Sequence, residues 1–534
     1  MPERIISHFS TITQNSKYLF TWMSILISSI GIIIAEESRP NIILIMCDDM
    51  GFSDLGSYGS EIKTPHLDAL AYNGIRFNDF HNNAKCSETR ATLMTGLWHQ
   101  QTKNLKKQNN VTLAEVLKES GYATSMVGKW HLNGHPIDRG FDRYFGFLGG
   151  TINFFNGKEW SSGKNNLYFG KAPFIAGKDF YSTDKFTEFA KKFISEMLDK
   201  DSDKPFFLYL AHNAPHFPLQ APRKNIDKYK GKYNKGWDHL RESRITKMRN
   251  LGIIDESWKL SDRDPKVEPW NALKGEEKNF MVPMMEVYAA MVDRLDENIG
   301  ELLTHLKRHN VYENTLIMFL SDNGACPYQR LRNDILLPGP EESEIGYDAR
   351  WANACNTPLR LYKQYAHNGG TMTPFIAHWP KRIKNTGSIS DSTRHIVDIM
   401  PTLIDIAEAN YPTEFRGRSI LPMEGESMAN ILLGKTTQKM RTRKIFWEFS
   451  ANHAVRSGNW KLVAEKSKDW ELFRIDKDRS ESNDLSRTYP EKVKELEAVY
   501  NDWAERTGAV RHSQALKRKR SSQSQLFDFN KILK

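Results

Sequence analysis

Cysteine is scarce in this sequence. Four stand in 534 residues, at positions 47, 86, 326 and 355, too few for a disulfide-stapled scaffold. Compositional bias is lacking too. Hydrophobic residues make up 39% and charged residues 26%, a globular balance that excludes collagen-like, coiled-coil and wholly disordered chains. No internal repeat is visible. Acidic residues fall short of basic ones, 65 against 75, for a formal charge of +10 and a pI near 9.1. That balance favours anionic partners but does not choose between nucleic acid, a membrane surface and an acidic polysaccharide. The long uncharged apolar run, residues 19–35 (LFTWMSILISSIGIIIA), is itself short. As a helix it spans only about 25 Å, less than the roughly 30 Å hydrocarbon core.

What is present is length and aromatic surface. A chain of 534 residues holds about two to four domains. Its 13 Trp, 19 Tyr and 28 Phe supply core and sugar-stacking surface. Residues 1–18 are polar with Arg4 and Lys17, the apolar run follows, and EESRP is abruptly polar. This order reads as a secretory signal over 1–35, with an uncleaved anchor or a core helix as alternatives. The expectation is an exported protein, periplasmic or secreted, with no stable membrane span after cleavage. Export would permit a Cys326–Cys355 disulfide, a pairing the sequence leaves open.

Short apolar runs then alternate with helical patterns. Residues 41–47 (NIILIMC) form a continuous, β-branched run that predicts a buried strand ending at Asp48-Asp49. Residues 111–120 predict an amphipathic helix capped by Gly121. The run 122–127 predicts a strand ending at Gly128-Lys129-Trp130-His131. The run 206–211 predicts one ending at His212 and then His216, and 316–320 one ending at Ser321-Asp322-Asn323-Gly324. A long helix is expected over 288–309 and a last strand over 374–379, preceded by Lys363 and Gly369-Gly370. Strand–helix alternation implies an α/β fold, a mostly parallel sheet sandwiched by helices. Ligands in such sheets sit beyond the carboxyl ends of the strands. The domains read as 36–410, the catalytic unit, and 411–510, a smaller antiparallel sheet with a closing helix over 490–506. A polar basic tail takes 511–534, with LKRKRSSQSQ read as solvated.

The strand ends carry the chemistry. Asp48, Asp49, Asp322 and Asn323 offer only oxygen ligands, which suit a hard divalent cation, Ca²⁺ better than Zn²⁺. Cys86 stands at a predicted helix start, where an anion is favoured and a thiol pKa falls, and Arg90 lies one turn on. Lys129, His131, His216 and Lys363 add cations and proton carriers. A tetrahedral oxyanion needs such cations, a nucleophile and an acid for the leaving oxygen. His212 is evenly balanced between site and core, and Cys47 reads as core.

These residues resemble the type I, formylglycine-dependent sulfatases of the arylsulfatase A type, in the alkaline phosphatase superfamily. RPNIILIMCDDMGFSDLGSYG, TPHLDALAYNGIRF, TRATLMTG, GYATSMVGKWHL, RGFDRYFGFLGG, PFFLYLAHNAPHFPLQAP, YAAMVDRLDENIGELL, NTLIMFLSDNGA and AVRSGNWKLV follow that family in order. The match runs from about Arg39 to Ala509. The resemblance implies an alkaline phosphatase-like fold and hydrolysis of aryl or carbohydrate sulfate esters. Residue 86 would be oxidised to formylglycine by a formylglycine-generating enzyme, its gem-diol serving as nucleophile. Asp48, Asp49, Asp322 and Asn323, with residue 86, would hold one Ca²⁺. Arg90 would anchor the formylglycine, and Lys129 would bind residue 86 and sulfate. His131 would take the proton as the sulfated diol collapses. His216 and Lys363 would bind the ester and protonate the departing oxygen. Lys363 stands six residues before Gly369, as the family's lysine stands before an E-G-G triplet, although Asn368 replaces the Glu.

One departure opens alternatives. The signature C-x-P-x-R reads CSETR here, so Glu88 replaces the proline and its fixed φ. A relative that binds sulfated glycans without turnover is one alternative. A phosphoester or phosphonate hydrolase of the same superfamily is another. The expected partner is a sulfated carbohydrate or aryl sulfate and not nucleic acid.

Overall fold

The structure, a computed structural model, describes residues 39–329, 337–435, 443–466 and 468–517. The signal reading of 1–35 and the tail from 518 on lie outside the described residues. Among the described residues no helix is long and apolar enough to cross a membrane.

A ten-stranded sheet forms the centre. Its order is Ser388–Ser390, Ile75–Phe77, Phe375–His378, Thr315–Ser321, Asn41–Cys47, Phe206–Ala211, Ala123–Lys129, Arg143–Phe147, Leu167–Phe169 and Ala172–Pro173. The five strands from Thr315–Ser321 to Arg143–Phe147 run parallel. Phe375–His378 runs antiparallel to its neighbours, so its amino end lies at the edge where the parallel strands have their carboxyl ends. This is the mixed, mostly parallel sheet that the alternation of elements implies.

The central strands show why both faces are covered. Along Asn41–Cys47, Ile43, Ile45 and Cys47 enter one core, and Ile42, Leu44 and Met46 enter the other. Side chains alternate across a strand, so a continuous apolar run feeds two layers at once. Helices Ser182–Lys200 and Gly275–Arg308 contribute to the first core, and Cys86–Thr95, Leu113–Glu119 and Ile399–Ile406 to the second. Each fully buried Ile or Leu contributes about 1.5–3 kcal/mol of transfer free energy.

A second sheet of four antiparallel strands follows, Lys444–Phe449, Asn452–Ser457, Trp460–Ala464 and Glu471–Arg474. Leu496, Tyr500 and Trp503 of helix Pro490–Thr507 pack on Ile445, Val455, Leu462 and Leu472.

Several elements differ from the sequence reading. Helix Gly275–Arg308 begins thirteen residues before Tyr288 and contains Pro283. Met281, Met284, Met285 and Val287 are buried, and packing overrides the proline's cost. Strand Asn452–Ser457 was not foreseen, because NHAVRS carries too few apolar residues to show a period. Helix His512–Lys517 continues the fold where the sequence reads as tail, and His512 is buried against Trp470. All four cysteines are free and buried, so Cys326 and Cys355 are not paired.

Candidate active site

The polar strand ends meet at one edge of the sheet. Asp48 and Asp49 leave Asn41–Cys47, and Asp322 and Asn323 leave Thr315–Ser321 beside it. All four are buried. Asp49 holds a left-handed φ of 68° and His131 one of 54°. L-residues adopt that region at a cost, and such positions concentrate at functional sites. Lys129 ends its strand one residue after Gly128, whose φ is 105°. A Cβ there would fall 2.0 Å from the Ala211 carbonyl oxygen, so only glycine lets these two strands approach so closely.

Cys86 opens helix Cys86–Thr95 and is buried. One carboxylate oxygen from each of Asp48 and Asp322 and the Cys86 sulfur lie within 4.8 Å of one another. So do ligand atoms of Asp48, Asp49 and His216. Burial pushes the Cys86 thiol up, but Lys129, Lys85 and Lys363 outweigh it and hold the thiol below its ordinary range.

The cations are arranged around these acids. Lys129 Nζ donates to Asp48 Oδ2 at 2.6 Å, and Lys363 Nζ donates to Asp49 Oδ1. Asn323 Nδ2 donates to the same Asp49 oxygen at 2.6 Å. Burial raises the Asp49 carboxyl, yet His216 and Lys363 together bring it well below the usual carboxylate range. Burial and the Asp48 charge instead push Asp322 up. Arg90 donates to Asp322 Oδ2 and, through Nη1, to the Lys129 carbonyl at 2.9 Å. No hydrogen bond joins Arg90 to Cys86 among the described residues. The guanidinium orients the Asp322 carboxylate and the Lys129 backbone.

The histidines flank the acids. His216 Nδ1 donates to the Phe217 carbonyl at 2.7 Å, which leaves Nε2 facing Asp49 Oδ2 at 3.4 Å. The Phe217 ring stacks on His216 with centroids 4.3 Å apart, and Trp160 meets Phe217 edge-on at 5.6 Å. His131 is held at about 3 by burial, then by Lys129 and Arg90, and its imidazole is therefore neutral. His212 lies in the core near Phe186, 6.2 Å between rings. Every other candidate of the sequence reading is in this cluster.

Three residues here escaped the sequence reading. The Tyr209 hydroxyl lies 3.4 Å from Arg90 Nη1; a tyrosine inside FFLYLA needs a polar partner when buried, and that was the available signal. Lys85 approaches the Tyr328 ring, 5.9 Å from its centroid. Cys326 is buried, and burial followed by the Asp49 charge pushes its thiol up.

Within this cluster, among the described residues, three buried oxygens accept no hydrogen bond: Asp48 Oδ1, Asp49 Oδ2 and Asn323 Oδ1. Buried carboxylate and amide oxygens are normally satisfied, and an oxygen-ligated divalent cation fits this set.

Comparison with known proteins follows the same outline. A family model described as Sulfatase matches residues 40–409. The chain belongs to the sulfatase family. A second model, N-sulphoglucosamine sulphohydrolase, C-terminal, matches residues 360–506 of this sulfatase. An uncharacterized sulfatase of Schizosaccharomyces pombe is 33% identical, over 89% of this chain and 95% of that protein. The arylsulfatase of Klebsiella aerogenes is 32% identical, over 81% of this chain and 99% of its own length. Among solved structures, Ps i-CgsB in complex with k-i-k-neocarrahexaose superposes with a TM-score of 0.66 at 25% identity, over 90% of this sulfatase and 100% of that chain. The protein is thus a sulfuric ester hydrolase. In this sulfatase the cluster balances three carboxylates, Asp48, Asp49 and Asp322, with Arg90, Lys129 and Lys363. A divalent cation would leave it positively charged toward a sulfate monoester anion.

Proposed function

We propose that this sulfatase hydrolyses aryl or carbohydrate sulfate esters with a formylglycine made from Cys86 and one Ca²⁺. Asp48, Asp49, Asp322 and Asn323, with residue 86, would hold the ion. The observation that carries the reading is that Asp48, which groups with Asp322 and the Cys86 sulfur and also with Asp49 and His216, keeps one buried oxygen unsatisfied, as do Asp49 and Asn323. A Ca²⁺ held by these residues would supply Lewis-acid charge to a bound sulfate ester. Formylglycine, as its hydrate, supplies an oxygen nucleophile that a thiol lacks.

The chain's own residues do the rest. Lys129 and Lys363 face the anionic ester, and Arg90 fixes Asp322 and the Lys129 backbone. His131, neutral and partly exposed, is the group placed to take the proton released when the covalent sulfo-enzyme collapses. Lys363, on the side of Asp49, protonates the departing alcohol oxygen, and His216 binds the ester beside it. Phe217 and Trp160 line the approach beside His216.

Relatives named as arylsulfatase and N-acetylglucosamine-6-O-sulfatase support aryl and sugar sulfates as the substrate class. We read residues 36–410 as the catalytic domain, 411–510 as its C-terminal subdomain and 1–35 as an export signal. Maturation would require a formylglycine-generating enzyme.

Mass spectrometry of the residue-86 peptide from the native host tests this, together with turnover of 4-nitrophenyl sulfate. The aldehyde and turnover are expected together. A thiol in every molecule would remove the mechanism. It would favour the second reading, a relative that binds sulfated glycans without turnover, which Glu88 in place of the signature proline motivates.

A further inference from the structure

The loop that carries Lys363 is held from the far side by the C-terminal sheet. The Asn368 backbone N–H donates to Glu481 Oε2 at 2.7 Å. Its side-chain Nδ2 donates to the Arg479 carbonyl at 2.9 Å, and its Oδ1 accepts from Lys461 Nζ at 2.9 Å. Lys461 and Glu481 pair at 2.7 Å with both side chains fully buried. Glu481 takes a left-handed φ of 57° to make these contacts. Next to Asn368, His367 Nε2 pairs with Glu471 at 2.9 Å, and Arg360 reaches the same carboxylate at 3.0 Å.

The other side of this loop touches both walls of the site. Lys363 N–H donates to the Ala325 carbonyl at 3.1 Å and Gln364 N–H to the Ala84 carbonyl at 2.8 Å. Gly324 N–H donates to the Gly370 carbonyl at 3.0 Å. A Cβ at Gly324 would fall 1.9 Å from the Gly369 carbonyl oxygen, so the segments are in direct backbone contact. Thus Asn368 adjoins Gly369 and Gly370, whose carbonyls meet Gly324 next to Asn323, and its loop reaches Ala84, two residues before Cys86.

We propose that Glu481 and Lys461 are positioning residues of the sulfatase reaction, acting through Asn368 on Lys363 and on the Asn323 loop. The proposal rests on the sulfatase reading of that site. A fully buried ion pair costs desolvation that an apolar pair avoids, so it is weak as a stabilising device. Here the pair supplies directional bonds to one residue at the back of the active site, Glu481 to the Asn368 backbone N–H and Lys461 to its Oδ1. The second sheet is therefore part of the catalytic apparatus.

The test uses the full chain with residue-86 occupancy measured by mass spectrometry. Variants are Glu481→Gln, Lys461→Met, Lys461→Arg, Asn368→Ala and the double variant Asn368→Ala/Glu481→Gln. Melting temperature reports folding, 4-nitrophenyl sulfate reports kcat and KM, and calorimetric titration reports Ca²⁺ affinity. Folded Glu481→Gln and Lys461→Met should lose about tenfold or more in kcat with a smaller change in KM, since a small displacement of reacting groups is costly. Both should bind Ca²⁺ more weakly, and Lys461→Arg should recover part of the loss. The double variant should be no worse than its worse single, because the two residues act in one chain of contacts. Wild-type kcat and Ca²⁺ affinity in folded variants, or losses that multiply in the double, would overturn the proposal. If the wild type itself turns over no sulfate ester, the sulfatase reading fails, and Ca²⁺ affinity alone then decides the positioning role. If Lys461→Met does not fold, Glu481→Gln and the double variant carry the decision.

Discussion

Arg90 donates twice to one oxygen of Asp322, from Nε at 3.1 Å and from Nη2 at 2.7 Å, with both side chains fully buried. Two donors on one oxygen pin the position of Asp322 Oδ2, and lysine cannot reproduce a planar fork. Arg90→Lys should therefore keep the charge and lose the orientation. The expected outcome is a fall in kcat of about a hundredfold, on the scale of a misplaced catalytic group. Unfolding free energy should fall by about 1–3 kcal/mol, since a buried carboxylate loses a donor. Steady-state kinetics and urea melts check both. Wild-type kcat in Arg90→Lys would show that orientation of Asp322 is immaterial.

Chelation should separate the fold from the site. The three unsatisfied oxygens belong to Asp48, Asp49 and Asn323, and an ion that binds only the folded state raises its stability by mass action. Treatment with a chelator should abolish turnover and lower the melting temperature, and Ca²⁺ should restore both. Asp322→Asn should weaken the response to Ca²⁺. Restoration by Zn²⁺ but not Ca²⁺ would overturn the assignment and would favour a site that recruits His216, whose ring lies in the same cluster.

The strand ends were legible because apolar runs stop where polar residues begin, and a parallel sheet turns that into a common edge. Asp48, Asp322, Lys129 and His216 could thus be gathered from segments far apart in the chain. What was not legible depends on packing between the two sheets. Asn368 and Glu481 are 113 residues apart and share no motif. Arg90 could be placed near Cys86 by helical spacing, but spacing does not say that its fork goes to Asp322. His512 lies in a polar stretch, and only the Trp470 ring beneath it draws it into the fold.

Buried neutral histidines should set the acid side of stability. Burial holds His81 at about 4, His378 at about 4 and His453 at about 3, against about 6.5 in an unfolded chain. Above pH 6.5 both states are neutral and this contribution is complete. As pH falls from about 6.5 toward 4, the unfolded chain binds protons that the native state refuses, so stability falls. Each histidine costs about 1.4 kcal/mol per pH unit within that window. Urea midpoints at pH 7, 6 and 5 should decrease in that order. A flat profile between pH 6.5 and 5 would mean that these side chains are protonated in the native protein.

Gly150 leaves the space that His131 occupies. A Cβ at residue 150 would sit 3.0 Å from His131 Nε2 and 3.2 Å from Cε1. His131 Nδ1 makes no hydrogen bond that would hold the ring against such a push. Gly150→Ala should thus displace the imidazole by a few tenths of an ångström while the strands behind it stay in register. The expected result is a melting temperature within about 2 °C of wild type, because a surface-side change away from the core costs little. Turnover should fall by about tenfold, on the scale of general acid–base catalysis. If breakdown of the covalent intermediate is the step that suffers, a burst of 4-nitrophenol should precede a slower steady state in the variant. Unchanged steady-state turnover in a folded Gly150→Ala would show that His131 does not carry the proton.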